Sequence, residues 1–155
     1  MTTIRRARPE DSDSLWQVHT RAIRELCGDS YSEEEIQSWL RVLKSSRYRE
    51  SIANTVFLVA ENDDRVVGFG NLDQKNGRVE AVYVCPECAR RGVGKKILDT
   101  LEATARESGL RSLQLWSTVN AIPFYQSAGF RLQPQKRHLL ASGMVVCSYM
   151  VKELC

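Results

Sequence analysis

RVEAVYVCPECARRGVGKKILDTL, residues 78–101, is the stretch whose reading decides the fold. Val79, Ala81, Val82, Tyr83 and Val84 form an apolar run rich in β-branched side chains, which reads as a strand. Pro86 ends it, because proline cannot donate to a ladder. From about Gly92 the pattern changes. Val93, Ile97, Leu98, Leu101 and Ala105 recur at helical spacing, and Gly109 suits the helix end. RSLQLWS, residues 111–117, then reads as another strand. A strand, a helix and a strand in that order imply a crossover and a parallel pair.

Working outward, the remaining signals are hairpins and helices. TVFLVAEN and RVVGFGNLD flank Asp63-Asp64, and Asn76-Gly77 joins the second of these to residues 78–85 as a type I′ turn signal. Towards the N-terminus, TTIRRA reads as a short strand and Asp11 as the cap of a helix. That helix carries Leu15, Val18, Ala22, Ile23 and Leu26 and ends near Gly28. Ser32 before Glu33-Glu34-Glu35 opens a second helix through Ile36, Trp39 and Leu40. A weaker helical stretch covers Ser46 to Ala53. After residue 117 come a short helix over Asn120–Ala128, closed by Gly129, and two strands near Phe130–Gln135 and Met144–Lys152. The expectation is a single α/β domain over 1–155, with a mixed, mostly antiparallel sheet and helices on both faces.

Composition narrows the function. Of 155 residues, 43% are hydrophobic and 26% charged, as in ordinary globular proteins. A net charge of +3 suits a local anion site better than coating of nucleic acid, so no nucleic-acid partner is expected. No run of about 18 apolar residues predicts a membrane span. MTTIRRARPEDSD has no apolar leader core, so the expected address is the cytoplasm. Five cysteines, an odd number, argue against a disulfide framework. Cys85-Pro86-Glu87-Cys88 has the spacing of half a zinc site or of a redox pair. A zinc site lacks its second pair of ligands, and a redox pair should open a helix. Free thiols in a turn, with no metal, are therefore expected.

The loop before the long helix carries the chemistry. The first N–H groups of a helix lack internal partners and sit at the positive end of its dipole. Gly92 and Gly94 let a ligand approach the backbone, and Arg90, Arg91, Lys95 and Lys96 surround them with charge. Together these features describe a phosphate or pyrophosphate cradle; the segment by itself also reads as a glycine-softened turn with solvated cations. It does not fit the Walker A loop, which needs GxxxxGK[ST]. It does not fit the dinucleotide GxGxxG either, which would want glycine at Ile97.

Residues 89–94, ARRGVG, resemble the acyl-CoA signature [Q/R]-x-x-G-x-[G/A] of the GCN5-related N-acetyltransferases, with Ala89 in place of the usual Gln or Arg. VEAVYVCPE resembles that family's fourth strand, and NAIPFYQSAGF, residues 120–130, its N…FY…GF motif. The start, residues 19–40, is similar to a bacterial subgroup called YafP-like. The resemblance implies an acyl-CoA N-acyltransferase fold and transfer of acetyl from acetyl-CoA to a primary amine of a small molecule or peptide. A non-catalytic acyl-CoA sensor on the same fold is the alternative. It implies that backbone groups of Val82, Tyr83 and Val84 hold the pantetheine arm. Arg90, Arg91, Gly92, Val93, Gly94 and Lys95 would take the pyrophosphate, and Asn120 would contact the cofactor. Tyr125 would be the general acid for the departing thiolate. Glu80, a carboxylate within an apolar strand, would be the base, its pKa raised by burial, with His19 as a fallback. The acceptor pocket would be built from Glu25, Tyr31 and Trp39, with specificity from loops 28–32 and 136–144. A homodimer also fits the family.

Overall fold

Turn chemistry sets up the first half of the sheet. The computed structural model describes residues 1–140 and 145–154. Strands β1 (Thr2–Arg6), β2 (Val56–Asn62), β3 (Arg65–Asp73) and β4 (Arg78–Val84) pair antiparallel in sequence order. The β2–β3 turn has Asp63 and Asp64 at φ 52° and 62°, both left-handed, a conformation that aspartate tolerates better than most residues. The β3–β4 connection is not the expected two-residue turn. Asp73 pairs with Arg78, so residues 74–77 form a longer loop in which only Gly77 is left-handed. The Asp73 carboxylate accepts from the N–H groups of Lys75 (3.0 Å) and Asn76 (3.3 Å), which satisfies the loop locally.

The second half is the crossover. Helix α4 (Val93–Glu107) leads to β5 (Ser112–Ser117), which lies parallel to β4. Helix α5 (Ile122–Ser127) then leads to β6 (Arg131–Leu140) and β7 (Val145–Glu153). The strand order is β1-β2-β3-β4-β5-β7-β6, antiparallel apart from the β4–β5 pair. β6 runs beyond the expected Gln135, with an irregularity between Gln133 and Arg137.

Helices cover both faces. α4 and α5 share one apolar layer in which Ile97, Leu98, Leu101, Leu113, Leu115 and Met150 are buried. α4 comes close because β3 carries glycine beneath it: a Cβ on Gly70 would stand 2.6 Å from the Ile97 side chain. α1 (Ser12–Leu26), α2 (Glu33–Arg41) and α3 (Ser46–Asn54) cover the other face. α2 opens with a capping box, in which Ser32 accepts from Glu35 N–H at 3.1 Å and Glu35 accepts from Ser32 N–H at 2.8 Å. Gly28 follows α1 without a left-handed φ. Its missing side chain instead spares a 2.9 Å contact with the Arg24 carbonyl.

Asp11 does not cap α1 with its side chain. Its carboxylate accepts from Arg8 N–H at 2.7 Å and from the Arg5 guanidinium at 2.9 and 3.0 Å, fastening β1 to the helix entrance. The Arg5 hydrogen bond above all holds the Asp11 pKa below its ordinary 3.8. A carboxyl with a lowered folded-state pKa stabilises the protein above its unfolded value, and that stabilisation is lost as pH falls through the folded value. Asp11→Asn should cost about 1–3 kcal/mol at neutral pH. In urea unfolding the gap to the wild type should close in acid; a gap that stays constant from pH 7 to pH 2 would contradict this account.

Candidate active site

The central feature is a parting of strands. β4 and β5 pair only at Arg78–Gln114 and Val79–Leu115. Beyond Val79 the two strands diverge, while β4 stays bonded to β3 as far as Val84. A bulge marks the start of the divergence. Asn71 faces Ala81 and Leu72 faces Val79, so Glu80 is the extra residue.

A cleft of about 580 Å³ opens at this point. Val82, Tyr83 and Val84 line it from β4, and Arg90, Gly92, Gly94 and Lys95 from the loop and first turn of α4. Asn120 lines it from the 3₁₀ turn before α5. Eight of the residues expected at a cofactor site thus meet on one cleft. Arg91 is exposed but outside it, and Val93 is buried in the core below.

The loop is wound tightly. Arg90 has φ 63°, unusual for a side chain other than glycine, and Gly92 has φ 84°. The first helical bond of α4 runs from Lys96 N–H to the Gly92 carbonyl at 3.0 Å. The N–H groups of Val93, Gly94 and Lys95 precede it and have no acceptor within the helix. Gly94 lets the helix start pack closely, since a Cβ there would stand 3.3 Å from the Phe124 ring. Lys95 is paired with Asp99 at 2.7 Å, so its charge is shared.

Tyr125 is buried behind the cleft, at 6% exposure, with its ring centroid 5.0 Å from that of Phe124 and 5.7 Å from that of Phe130. Burial pushes its phenol well above the ordinary value, and Cys147 adds to the effect. The Tyr125 phenol in turn helps raise Tyr83, which lines the cleft.

Several expectations are corrected. Glu80 is not buried: its side chain is 37% exposed and lies 3.3 Å from Arg78. The bulge takes it out of the strand's alternation, so the burial expected of it does not occur. His19 does not line the cleft. It is enclosed by Tyr48, Phe69 and Tyr83, with Nδ1 2.8 Å from the Tyr48 hydroxyl, and burial pushes it down to about 3. It is a partly buried histidine packed against the aromatic core.

Tyr31 and Trp39 belong to the core rather than to a pocket wall. The Tyr31 hydroxyl donates to the Val146 carbonyl at 2.8 Å and accepts from Val119 N–H at 2.9 Å, joining the α1–α2 loop to β7 and the turn before α5. Trp39, 4% exposed, backs Tyr83. Glu25 is exposed on α1 and does not line the cleft; Asp29 does. Of the loop 136–144, residues 141–144 lie outside the described residues.

Sequence reasoning missed Leu26, Cys27, Ala121 and Phe124, which also line the cleft. The Cys27 thiol is pushed up to about 11 by burial and hydrogen-bonds with Asn120.

A parted parallel pair beside a left-handed cationic loop defines a protein that takes an extended, anionic ligand. Comparison with known proteins agrees. The family model for the acetyltransferase (GNAT) domain matches residues 27–151. A spermidine N(1)-acetyltransferase of Thermoplasma acidophilum is 27% identical over 142 residues, 84% of this chain and 88% of the relative. A GCN5-related N-acetyltransferase from Rhodopseudomonas palustris superposes with a TM-score of 0.92 at 25% identity, over 99% of this chain and 96% of that one. The PaiA N-acetyltransferase of Thermoplasma acidophilum, solved in complex with coenzyme A, has the same fold: TM-score 0.83 at 24% identity, with 99% of each chain covered. The chain belongs to the GNAT acetyltransferase family and is an acetyl-CoA-dependent N-acetyltransferase.

Proposed function

We propose that the chain transfers acetyl directly from acetyl-CoA to a primary amine of a small molecule or peptide at the parting of β4 and β5. That parting carries the reading, because backbone groups of β4 beyond Val79 have no β5 partner and can pair with an extended, amide-bearing ligand. The left-handed loop and the free N–H groups of α4 fit a pyrophosphate. Acetyl-CoA supplies the activated acetyl group as a thioester. Val82, Tyr83 and Val84 orient it, and a β4 N–H polarises its carbonyl. Asn120 holds it from the opposite side, while Arg90, Gly92 and Lys95 hold the phosphates and Arg91 adds charge from outside the cleft. The buried Tyr125 phenol keeps its proton across the working pH range and gives it to the departing sulfur.

Glu80 enters this reading in a reduced form. As an exposed carboxylate at the bulge where the strands part, it takes the amine's proton through water. Glu80→Gln should then lower turnover most on the acidic limb of the pH–rate profile, where free amine is scarce. An acidic limb unmoved by the substitution would remove Glu80 from the mechanism.

The acceptor approaches past Asp29, which offers a cationic amine a carboxylate at the rim. Spermidine, the acceptor in the name of the Thermoplasma relative, belongs in the first amine panel. Placement within the YafP-like subgroup rests on residues 19–40 alone and is part of this proposal. The test is thiol release from acetyl-CoA with polyamines, monoamines and peptide N-termini. A rate that no amine raises above background hydrolysis would defeat the reading.

A further inference from the structure

Cys85-Pro86-Glu87-Cys88 has no part in the chemistry above, yet it is a turn fixed by hydrogen bonds to β3 and α1. Cys85 N–H donates to the Val67 carbonyl at 2.8 Å, ending the β3–β4 ladder. Cys88 N–H donates to the Cys85 carbonyl at 2.9 Å, closing a 3₁₀ turn over Pro86–Cys88. Arg21 on α1 grips the Glu87 carboxylate with two hydrogen bonds, at 3.1 and 2.7 Å. A turn closed between residues three apart brings their Cα atoms within about 7 Å. A disulfide spans about 4.4–6.8 Å between Cα atoms. Both cysteines are free thiols.

The two thiols differ in their surroundings. Cys85 is 3% exposed and faces a separate polar pocket with Arg21 and Glu61. Cys88 is half-buried and lines the acyl-CoA cleft, two residues before the left-handed Arg90. We propose that Cys85 and Cys88 are a redox-active dithiol at the wall of the cleft, which a small-molecule disulfide closes to a Cys85–Cys88 disulfide. Burial, and then its contact with Cys88, pushes the Cys85 thiol up; Cys88, at the cleft wall, is the thiol that a small disulfide reaches first.

The Cys88 thiolate attacks one sulfur of the small disulfide and displaces the other as a thiolate, which takes up the proton Cys88 lost. Cys85 then attacks the Cys88 sulfur of the mixed disulfide and displaces the second thiolate, which receives the Cys85 proton. Two protein thiols are oxidised to one disulfide, and one small disulfide is reduced to two thiols. The new bond shortens the existing Cys85–Cys88 contact to a covalent one and so draws on the backbone leading to Arg90 at the cleft wall. Oxidation therefore weakens acyl-CoA binding. This last step rests on the proposed function; the thiol chemistry does not.

The test treats the full chain with oxidised glutathione and reads intact mass and a peptide map. Wild type should lose two hydrogens, carry no adduct at these positions and yield a linked Cys85–Cys88 peptide. Cys85→Ser should accumulate one glutathione on Cys88, removable by dithiothreitol, and Cys88→Ser should leave Cys85 unmodified. A lasting glutathione adduct on wild-type Cys88, or both thiols still open to alkylation after treatment, would overturn the proposal; neither depends on the variants folding. By calorimetry, oxidised wild type should bind CoA about fivefold or more weakly, with recovery on reduction. Disulfide formation with unchanged CoA affinity would refute the link to the cleft. Absence of CoA binding in the reduced protein would instead defeat the proposed function and leave the mass result standing.

Discussion

Acetyl-CoA at millimolar concentration should raise the melting temperature of this chain, and Gly92→Glu should abolish the rise. A ligand that binds only the folded state at a hundred times its dissociation constant adds about 2.7 kcal/mol of stability. For a domain of this size that corresponds to roughly 5–10 °C. Gly92 is where the effect is most exposed to mutation. Its φ of 84° is one that other L residues rarely adopt, and a Cβ there has nothing within 4 Å. Gly92→Ala should therefore cost only the backbone penalty, about 1–2 kcal/mol, and keep a thermal shift with acetyl-CoA. Gly92→Glu adds a negative charge and bulk beside the free N–H groups of α4, where the phosphates are proposed to lie. A wild-type protein without a shift would remove the acyl-CoA reading of the cleft. A full shift in Gly92→Glu would move the phosphates to another part of the molecule.

Tyr125→Phe should lower turnover by about 10²-fold or more with little change in acetyl-CoA affinity. The substitution keeps the ring that packs on Phe124 and Phe130 and removes only the hydroxyl. Burial holds that hydroxyl protonated far above neutrality, so in the wild type a proton is present at every working pH. The variant leaves the sulfur to be protonated by water. Steady-state kinetics on one good amine, with CoA affinity measured separately, divides chemistry from binding. Turnover within a few-fold of wild type would assign the proton to solvent and reduce Tyr125 to a packing residue.

Much of the architecture was legible because it rests on local chemistry. The Ser32 start of α2, the inward stripe of α4 and the crossover to β5 follow from spacing and capping. The loop residues Arg90, Gly92 and Gly94 were legible for the same reason: a strand, a break and a helix fix where helix N–H groups point. What stayed hidden depends on register. A single extra residue in β4 turns Glu80 from an apparent interior carboxylate into an exposed one, and alternation carries no mark of a bulge. Asn76-Gly77 suggested a tight turn, but the Asp73 carboxylate holds a longer loop, an interaction visible only once the strands are aligned. Tyr31 and Trp39 had the composition of a pocket wall. Whether aromatics face a ligand or one another is decided by how α2 docks on the sheet.

The parting of β4 from β5 gives the sheet an edge in its interior. Edges at the margin of a sheet recruit any extended backbone that reaches them, which is why margins are commonly shortened, charged or covered. This edge lies instead in a cleft walled by α1 and by the turn before α5. It asks first for form: a slender chain with peptide-like groups at strand spacing matches its unpaired backbone groups. Polyamide mimics that are neither thioesters nor nucleotides would pass the same filter, and they offer a route to inhibitors that compete at the sheet while leaving the phosphate loop untouched.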